Sequence, residues 1–296
     1  QLDELALWLD ANDSSTITAD LDGNVSQWAD KSGNGNNATQ SVISEQPTSL
    51  TDGMNGYPCL DFENDKLSTA EVDMINKCLI AVIQPDFITS DMQIFSHSSL
   101  NVQIRINADG TLRYAGVPPL YSNTTGSSIG ELDANQLVMV SFIFNDKLEF
   151  SINGHWEQST AGMTIDGRSV YNQIGTISSS TNRFNGKMGE LIIMDSKQAT
   201  DRQNVEAYLA HKWGLVYQLP PSHPGYKDVL LTAASFDYET NASTYNIQVR
   251  ATANGSVQNE KKYKILLSNV VEDLDEDGIE DHYDLDDDGD GFPDLI

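Results

Sequence analysis

Residues 137–144 read Leu-Val-Met-Val-Ser-Phe-Ile-Phe, and residues 148–156 read Leu-Glu-Phe-Ser-Ile-Asn-Gly-His-Trp. Both segments have the length and the apolar, aromatic and β-branched content of strands that pack on a core. Asn153-Gly154 ends the second strand, and Asn-Gly is a strong hairpin signal because both turn positions need a positive φ. This stretch therefore predicts antiparallel strands joined by tight turns.

The same pattern recurs through the first 227 residues. Further short strand-like runs begin at Ala6, Cys59, Leu79, Val102 and Gly189, and Ala108-Asp109-Gly110 marks a second hairpin turn. Many short strands at a spacing of roughly ten residues are typical of a β-sandwich or jelly roll. The sequence therefore predicts an all-β fold for this region.

One helix is expected near the end of this region. Thr200 and Gln203 form a capping box, and Gly214 is a C-terminal stop signal. The apolar residues between them recur at helical spacing and include Trp213. We expect Trp213 to pack this helix on the sandwich rather than to contact a ligand.

The charge of the chain is concentrated at its end. The formal net charge of the 296 residues is −27, and residues 272–294 hold 13 acidic side chains without a single Lys or Arg. A run rich in Pro, at 219–225, separates the first region from a nearly neutral segment. We therefore divide the chain into 1–227, 228–271 and 272–296, and we expect Gln1 to begin a processed or excised fragment.

Composition also excludes some functions. Hydrophobic residues make up 39% of the chain, which excludes a wholly disordered protein. The strong negative charge argues against nucleic acid as a partner, since phosphate binding needs Lys and Arg. No stretch approaches the length of about 18 apolar residues that a membrane span needs, so direct membrane insertion is not expected.

The acidic tail has the spacing of calcium-binding loops. Such a loop takes side-chain oxygens at positions 1, 3, 5, 9 and 12 and a backbone carbonyl at position 7. Counted from Asp273, these positions are Asp273, Asp275, Asp277, Ile279, Asp281 and Asp284. A second copy starts at Asp286 and continues with Asp288, Asp290, Phe292 and Asp294. Both copies predict bound Ca²⁺, against the alternative of a solvated, disordered acidic tail.

Residues 229–270 alternate apolar and polar residues as strands do. Tyr245-Asn-Ile-Gln-Val and Tyr263-Lys-Ile-Leu-Leu are the two clearest runs, with Asn254-Gly255 as a turn signal between them. Two or three strands do not form an independent sandwich, so we expect strands from elsewhere to complete it.

Two resemblances extend this interpretation of the C-terminal part. The run 273–294 resembles thrombospondin type 3 calcium repeats, which implies a structural role for the metal in a secreted or surface-anchored protein. The runs that start at Ser235, Tyr245 and Ser268 resemble the second half of a cadherin-like repeat. That resemblance implies that Glu239 and Glu272 take part in calcium binding, whereas plain strands without calcium at Glu239 are the alternative.

The first region resembles the laminin-G-like, concanavalin A-like jelly-roll family. The resemblance lies in the ordered series Leu7-Trp-Leu-Asp-Ala-Asn-Asp, Trp28-Ala-Asp-Lys-Ser-Gly-Asn-Gly, Pro58-Cys-Leu-Asp-Phe, Phe150-Ser-Ile-Asn-Gly and Gly186-Lys-Met-Gly-Glu-Leu-Ile-Ile-Met-Asp. It implies a jelly-roll sandwich and leaves the function open, because this fold carries lectins, peptide binders and glycosidases.

Sequence motifs of catalysis are missing. Glu149 and Glu190 are single acids on predicted strands, without the paired carboxylates that glycosidases need. The five His residues show no zinc spacing, and there is no Gly-x-Ser-x-Gly motif. We therefore expect the chain not to be an enzyme.

Candidate ligand residues are aromatic and polar side chains near turns. Tyr114, Tyr121, Asn123 and Trp156 are the candidates for glycan binding. Asp10, Asn12, Asp13 and Asp30 form either a calcium site or turn caps. Cys59 and Cys78 form either a disulfide or two buried thiols.

Together these features predict a calcium-dependent adhesion module in an extracellular, cell-surface protein with neighbouring domains. The jelly roll would bind a glycan or a surface protein. The alternatives are a purely structural spacer stiffened by calcium and a peptide-binding module.

Overall fold

The computed structural model describes residues 5–70, 72, 74, 76–97, 102–115, 126–144, 147–162, 172–176, 182–195, 199–226, 244–253 and 256–266. The chain divides into two compact units, Gln1–Val229 and Leu230–Ile296. Among the described residues, no helix combines the length and the apolar character needed to cross a membrane.

The first unit consists of short strands and one α-helix. The strands are β1 (Leu5–Asp10), β2 (Ile17–Ala19), β3 (Val25–Trp28), β4 (Ala38–Thr39), β5 (Thr48–Met54), β6 (Tyr57–Glu63), β7 (Leu67–Thr69), β8 (Lys77–Pro85), β9 (Met92–His97), β10 (Val102–Ile106), β11 (Thr111–Ala115), β12 (Gly126–Glu131), β13 (Val138–Phe144), β14 (Lys147–Ile152), β15 (His155–Gly162), β16 (Asn172–Ile174) and β17 (Asn185–Asp195). The helix α1 spans Ala199–Lys212. Short 3₁₀ turns lie at Ser14–Thr16, Ile43–Glu45 and Val216–Gln218.

These strands form two sheets. Sheet A has the order β15-β14-β13-β8-β17-β6-β5, and β1 also pairs with β17. Sheet B has the order β12-β11-β10-β9-β16-β7-β4-β3-β2. All pairings between these strands are antiparallel, so the all-β sandwich predicted from the sequence is confirmed.

The main core lies between the two sheets. Sheet A contributes alternate residues such as Leu79, Ala81 and Phe142, and sheet B contributes Ile104 and Phe95, all of them fully buried. Alternation along the strands puts these side chains on the inner faces, and each large one contributes about 1.5–3 kcal/mol of burial free energy.

Strand β17 is the centre of sheet A. One of its edges pairs with β8 along most of its length, while the other pairs first with β6 and then with β1. The register on β8 shifts at Gly189, between Met188 and Glu190. A Cβ at Gly189 would overlap the ring of Trp213, so the bulge and the missing side chain together make room for the indole.

Helix α1 covers the outer face of sheet A and closes a second core. Val205, Leu209 and Trp213 are fully buried there against residues such as Ile80 and Ile192. The predicted role of Trp213 is therefore confirmed. Gly214 follows with a φ of +74°, which agrees with the predicted stop.

The predicted start of this helix needs a correction. The helix begins at Ala199, so Thr200 lies inside its first turn and is not the N-terminal cap. The capping-box motif identified the correct region, but it placed the boundary too late because the same side chains are also tolerated within a first turn.

Both predicted hairpins are present. Asn153 and Gly154 have φ values of 49° and 76°, as a type I′ turn requires, and they join β14 to β15. Gly110 has a φ of 84° in the turn between β10 and β11. A third Asn-Gly turn, at Asn55-Gly56 with φ values of 51° and 76°, joins β5 to β6.

The two cysteines are free thiols, so the predicted disulfide is wrong and the alternative of buried thiols is correct. Cys59 lies on β6 and Cys78 on β8, with β17 between the two strands. Two strand spacings across the sheet already amount to about 9–10 Å, beyond the ~7 Å between Cα atoms that a disulfide tolerates. The cysteines are also offset along β17, because Cys78 is level with Met194 while Leu60, next to Cys59, is level with Met188.

The described part of the second unit is an antiparallel strand pair, β18 (Thr244–Ala253) and β19 (Ser256–Leu266). Tyr245 and Tyr263 fall in these two strands, as the alternation predicted. The predicted calcium loops and the other residues on which the resemblance to a cadherin-like repeat rests lie outside the described residues.

Candidate functional site

A polar cleft of about 480 Å³ lies at one end of sheet A, below the C-terminal end of α1. Five side-chain amides and one tyrosine line much of it: Asn55, Gln84, Asn135, Gln136, Gln218 and Tyr217. No carboxylate, amine or guanidinium lies among the residues that the structure places around this cleft. The cleft is therefore uncharged and rich in hydrogen-bonding groups.

The β5–β6 turn holds one wall of the cleft. The side-chain nitrogen of Asn55 donates a hydrogen bond to the backbone oxygen of Trp213 at 3.1 Å. A Cβ at Gly214 would come within 2.5 Å of that same nitrogen. Glycine at 214 therefore allows the turn to approach the helix end. Within the described residues, the side-chain oxygen of Asn55 stays available to accept a hydrogen bond.

The loop before β13 forms the opposite wall. Gln84 donates from Nε2 to the backbone oxygen of Asn135 at 2.9 Å, and the Asn135 backbone N–H donates to Pro85 at 2.6 Å. Asn135 has a φ of 60°, a conformation that asparagine tolerates better than most residues. This anchoring leaves the Asn135 side-chain amide without a hydrogen bond within the described part of the chain.

The 3₁₀ turn after α1 completes the site. The side chain of Asn153 donates to Oε1 of Gln218 at 2.6 Å, and its own Oδ1 accepts from the Met139 backbone N–H at 2.8 Å. Gln218 in turn donates from Nε2 to the Tyr217 hydroxyl at 3.2 Å. The Asn153-Gly154 hairpin thereby fixes Gln218 and Tyr217, and the tyrosine remains 42% exposed.

This arrangement can bind a neutral, hydroxyl-rich molecule. Within the described residues, the side-chain oxygens of Asn55 and Gln84 accept no hydrogen bond and can therefore accept one from a ligand, and the amide of Asn135 can both donate and accept. The exposed Tyr217 ring offers an apolar surface beside these polar groups. A few fixed polar groups next to an aromatic surface are typical of small-molecule sites.

A buried ion network next to this cleft positions the helix. Glu190 is fully buried and accepts from Trp8 Nε1 at 2.7 Å, Trp213 Nε1 at 3.1 Å and the Tyr208 hydroxyl at 3.2 Å. Lys212 Nζ lies 2.7 Å from Glu190 Oε2 and 2.7 Å from Asp10 Oδ1. The carboxylate thus has four donors, which ties β1, β17 and α1 together.

The network also shifts the pKa values of its members. Burial alone lowers the pKa of Lys212, but the hydrogen bonds to Asp10 and Glu190 outweigh it and hold the pKa above its usual value. Burial, together with the charge of Glu190, raises the pKa of the Tyr208 hydroxyl to about 12. Lys212 is therefore charged and Tyr208 neutral throughout the physiological range.

The acids near the N-terminus serve as ion-pair partners and turn caps. Lys31 Nζ lies 3.0 Å from Asp10 and 2.7 Å from Asp13, while Asp30 accepts from the backbone N–H groups of Trp8, Ser32 and Asn36. Asn12 donates its backbone N–H to Asp10. Within the described residues, no group of three or more His, Cys, Asp or Glu side chains is placed to hold a metal ion.

A second buried acid does not form a catalytic triad. Glu206 lies between Ser141, whose hydroxyl is 3.3 Å from Oε1, and His223, whose Nε2 is 3.2 Å from Oε2. The Gly225 N–H donates to His223 Nδ1, so the ring proton is on Nε2 and points at the glutamate. Among the described residues, the Ser141 hydroxyl donates to Glu206 and not to His223, so these three side chains lack the serine–histidine hydrogen bond of a catalytic triad.

Of the four predicted ligand residues, Trp156 is described with its side chain, and it does not line the cleft. Trp156 is on β15, with Arg202 stacked over its ring at 4.3 Å from the ring centroid. Tyr114 is on β11, where it pairs with the core residue Ile104. Tyr121 and Asn123 lie outside the described residues, as do the predicted calcium ligands Glu239, Glu272 and Asp273 to Asp294.

Sequence reasoning missed the amides of the cleft because they are scattered along the chain. The Asn55-Gly56 dipeptide was a usable signal, since Asn-Gly predicts a tight turn. Nothing in the local sequence of Gln84, Asn135 or Gln218 indicates that the fold brings them together.

Comparisons with known proteins agree with this fold. No family model and no curated protein matches the chain. Among solved structures, the binding domain of Paraclostridial mosquitocidal protein 1 is similar, with a TM-score of 0.50 and 14% identity over 72% of this chain and 53% of that one. The botulinum neurotoxin serotype G binding domain is similar too, with a TM-score of 0.50 and 13% identity over 71% of this chain and 54% of that one. The chain spans about half the length of each of these two structures. At such low identity the likeness shows the fold alone, a β-sandwich built from two antiparallel sheets.

Proposed function

We propose that the first unit is a carbohydrate-binding module that takes a neutral glycan in the amide-lined cleft. The observation that carries this proposal is the combination of free amide groups and an exposed tyrosine in an uncharged cleft of about 480 Å³. Sugar hydroxyls both donate and accept hydrogen bonds, and the C–H face of a sugar ring packs on an aromatic surface.

The fold supports this proposal by analogy. The two similar structures are described as binding domains, so the same type of sandwich presents a binding surface in those proteins. Two observations on the described residues favour binding over catalysis. Ser141 donates its hydroxyl hydrogen to Glu206 and not to a histidine, and Glu190 is a single acid whose carboxylate already accepts hydrogen bonds from its neighbours.

The experiment is a glycan array probed with the full chain. We expect neutral oligosaccharides to give signals that Asn135→Ala and Tyr217→Ala each reduce at least about tenfold, since each removes one or two direct contacts. Phe87→Ala is the matched control, because Phe87 is a 46% exposed aromatic residue that does not line the cleft. Signals that survive in both cleft variants would refute the assignment.

We further propose that the module belongs to an extracellular, surface-attached protein whose acidic tail binds calcium structurally. The support is the loop spacing from Asp273 to Asp294, together with the 13 carboxylates and the lack of Lys and Arg in residues 272–294. Calcium bound at these loops would stiffen the connection to neighbouring domains.

Calorimetric titration of the full chain with CaCl₂ tests this second proposal. We expect at least one saturable site, weakened in Asp275→Ala and unchanged in Asp52→Ala, which removes an exposed acid of the first unit. A titration without a saturable site, or equal affinity in both variants, would mean that the tail is only a solvated acidic segment.

A further inference from the structure

The outer face of sheet B carries two arginines side by side. Arg105 lies on β10 between the core residues Ile104 and Ile106, so alternation directs it to the outer face. Arg113 on β11 is its direct partner across the strand pair. Gln93 on β9 is the partner of Arg105 on the other side. The three residues therefore form one row across three strands.

Two like charges in directly opposite positions destabilise a sheet. The pKa of Arg105 is lowered by burial and by the neighbouring charge of Arg113. Among the described residues, one carboxylate lies within 4.0 Å of the pair, that of Asp91, 3.4 Å from Arg105 Nη2 and itself 32% exposed. Within this part of the chain, one acid therefore faces two positive charges.

Arg113 is unusual among the basic side chains of this acidic protein. Each of the other Lys and Arg side chains that the structure describes lies within 4.0 Å of a carboxylate. Arg113 has no such carboxylate within the described residues. In a chain with 44 acidic residues, an arginine without an acid beside a second arginine is difficult to explain by stability alone.

Four buried side-chain atoms on this face have no hydrogen-bond partner within the described residues. The Nε atoms of Arg105 and Arg113 are buried without a hydrogen-bond partner, and so are the side-chain oxygens of Gln93 and Gln173. Gln93 is fully buried and Gln173 is 8% exposed. Gln173 pairs with Ser96 on β9, which places it on the outer face two strands from Arg105. Buried polar atoms are normally paired, so these four atoms require an explanation.

We propose that this face is a second binding site, which takes the carboxylate group of an acidic sugar. The Arg105 and Arg113 guanidinium groups would hold the carboxylate, because their planar N–H donors match its two oxygens. The proposal that this face binds an anion depends on the arginine pair alone. The proposal that the anion belongs to a sugar depends on the proposed glycan-binding function.

The test is a titration of the ¹⁵N-labelled full chain, followed by NMR at constant ionic strength. The probe is methyl glucuronide, with methyl glucoside as its neutral counterpart and sodium sulfate as a competing oxyanion. We expect methyl glucuronide to shift the Nε–Hε signals of Arg105 and Arg113 in a saturable way, and methyl glucoside to leave them unchanged.

Variants separate the site from general electrostatics. Arg113→Gln and Arg113→Lys should each weaken methyl glucuronide binding at least about tenfold, since lysine keeps the charge and loses the planar donor pair. Lys66→Gln removes the same charge from the Lys66–Glu45 pair and should leave the affinity unchanged.

Two results would overturn the proposal. The site would be ruled out if methyl glucuronide shifted the NMR signals equally in wild type and Arg113→Gln, or if it caused no saturable shift at all. Binding of sulfate as tight as that of methyl glucuronide would remove the sugar-acid assignment. Neutral glycan binding at the cleft is measured separately on the array, so failure of one proposal is distinguishable from failure of the other.

Discussion

Replacing Lys212 by Met should destabilise the first unit strongly. Lys212 Nζ bridges Glu190 and Asp10 at 2.7 Å each, and these carboxylates are 0% and 5% exposed as side chains. Methionine fills a similar volume but carries no charge. Glu190 would then be left fully buried with only neutral donors and no cationic partner, while Asp10 would keep Lys31 as its partner.

The magnitude follows from the geometry. Removing one partner of a buried ion pair costs about 3–5 kcal/mol, because the other charge is left without compensation. The three remaining donors to Glu190 are the two indole N–H groups and the Tyr208 hydroxyl, which offset part of that cost. We therefore expect the free energy of unfolding to fall by about 3–4 kcal/mol.

Urea unfolding followed by tryptophan fluorescence is the assay. All four tryptophans, Trp8, Trp28, Trp156 and Trp213, lie in the first unit, so the signal reports on the sandwich and not on the second unit. Linear extrapolation with an unchanged slope then measures stability rather than a change in the unfolded state.

Lys77→Met is the matched control. It breaks the Lys77–Asp195 pair, which spans 3.7 Å and in which the lysine side chain is 24% exposed. Such a pair contributes about 0–1 kcal/mol. A loss in Lys212→Met no larger than that in Lys77→Met would refute the reasoning that the Glu190 network holds the helix on sheet A. Adding Glu190→Gln to Lys212→Met should recover part of the loss, since it removes the unpaired charge.

Three further predictions concern buried positions. Burial raises the pKa of Asp65 to about 6, above its value near 4 in the unfolded chain. Ionisation of Asp65 therefore lowers the free energy of unfolding as the pH rises from about 4, and this loss is complete above about pH 6. Asp65→Asn should therefore raise the free energy of unfolding by about 1–2 kcal/mol at pH 7 and change it little at pH 3.5, as urea titrations at the two pH values will show. Gly189→Ala should cost at least about 2 kcal/mol in thermal or urea unfolding, because the new methyl group overlaps the ring of Trp213. Burial raises the pKa of Cys59 to about 12 and that of Cys78 further, so neither thiol should react with Ellman's reagent at pH 8 until urea unfolds the unit.

Local patterns were sufficient to predict the type of fold. The alternation in β14, the Asn153-Gly154 turn and the apolar run of β13 each depend on neighbouring residues, and each appears in the structure as expected. The burial of Trp213 also followed from helical spacing alone.

Features that depend on strand order were not predictable from local sequence. Local sequence left a disulfide and two buried thiols open for Cys59 and Cys78, and only the strand order, with β17 between their strands, together with the register decides for free thiols. The roles of Asp10 and Glu190 depend in the same way on Lys212, which lies 202 and 22 residues away from them in sequence.

The candidate binding sites were likewise not predictable from local sequence. The sequence signal for a ligand site, aromatic residues near turns, led to Trp156, whose ring is covered by Arg202. The amides that line the cleft come from four separate segments, and the Arg105–Arg113 pair becomes visible only once the register of β10 and β11 is known.

The central claim is that the amide-lined cleft binds a neutral glycan, and the side-chain amide signals of the cleft test it most directly. The ¹⁵N-labelled chain is titrated with the neutral oligosaccharide that gives the strongest array signal, and the NH₂ resonances of Asn55, Asn135 and Gln136 are followed by NMR. The account predicts saturable shifts of these resonances with one common affinity, and loss of the shifts in Tyr217→Ala. Binding that leaves these resonances unchanged and shifts signals elsewhere in the sandwich would contradict it.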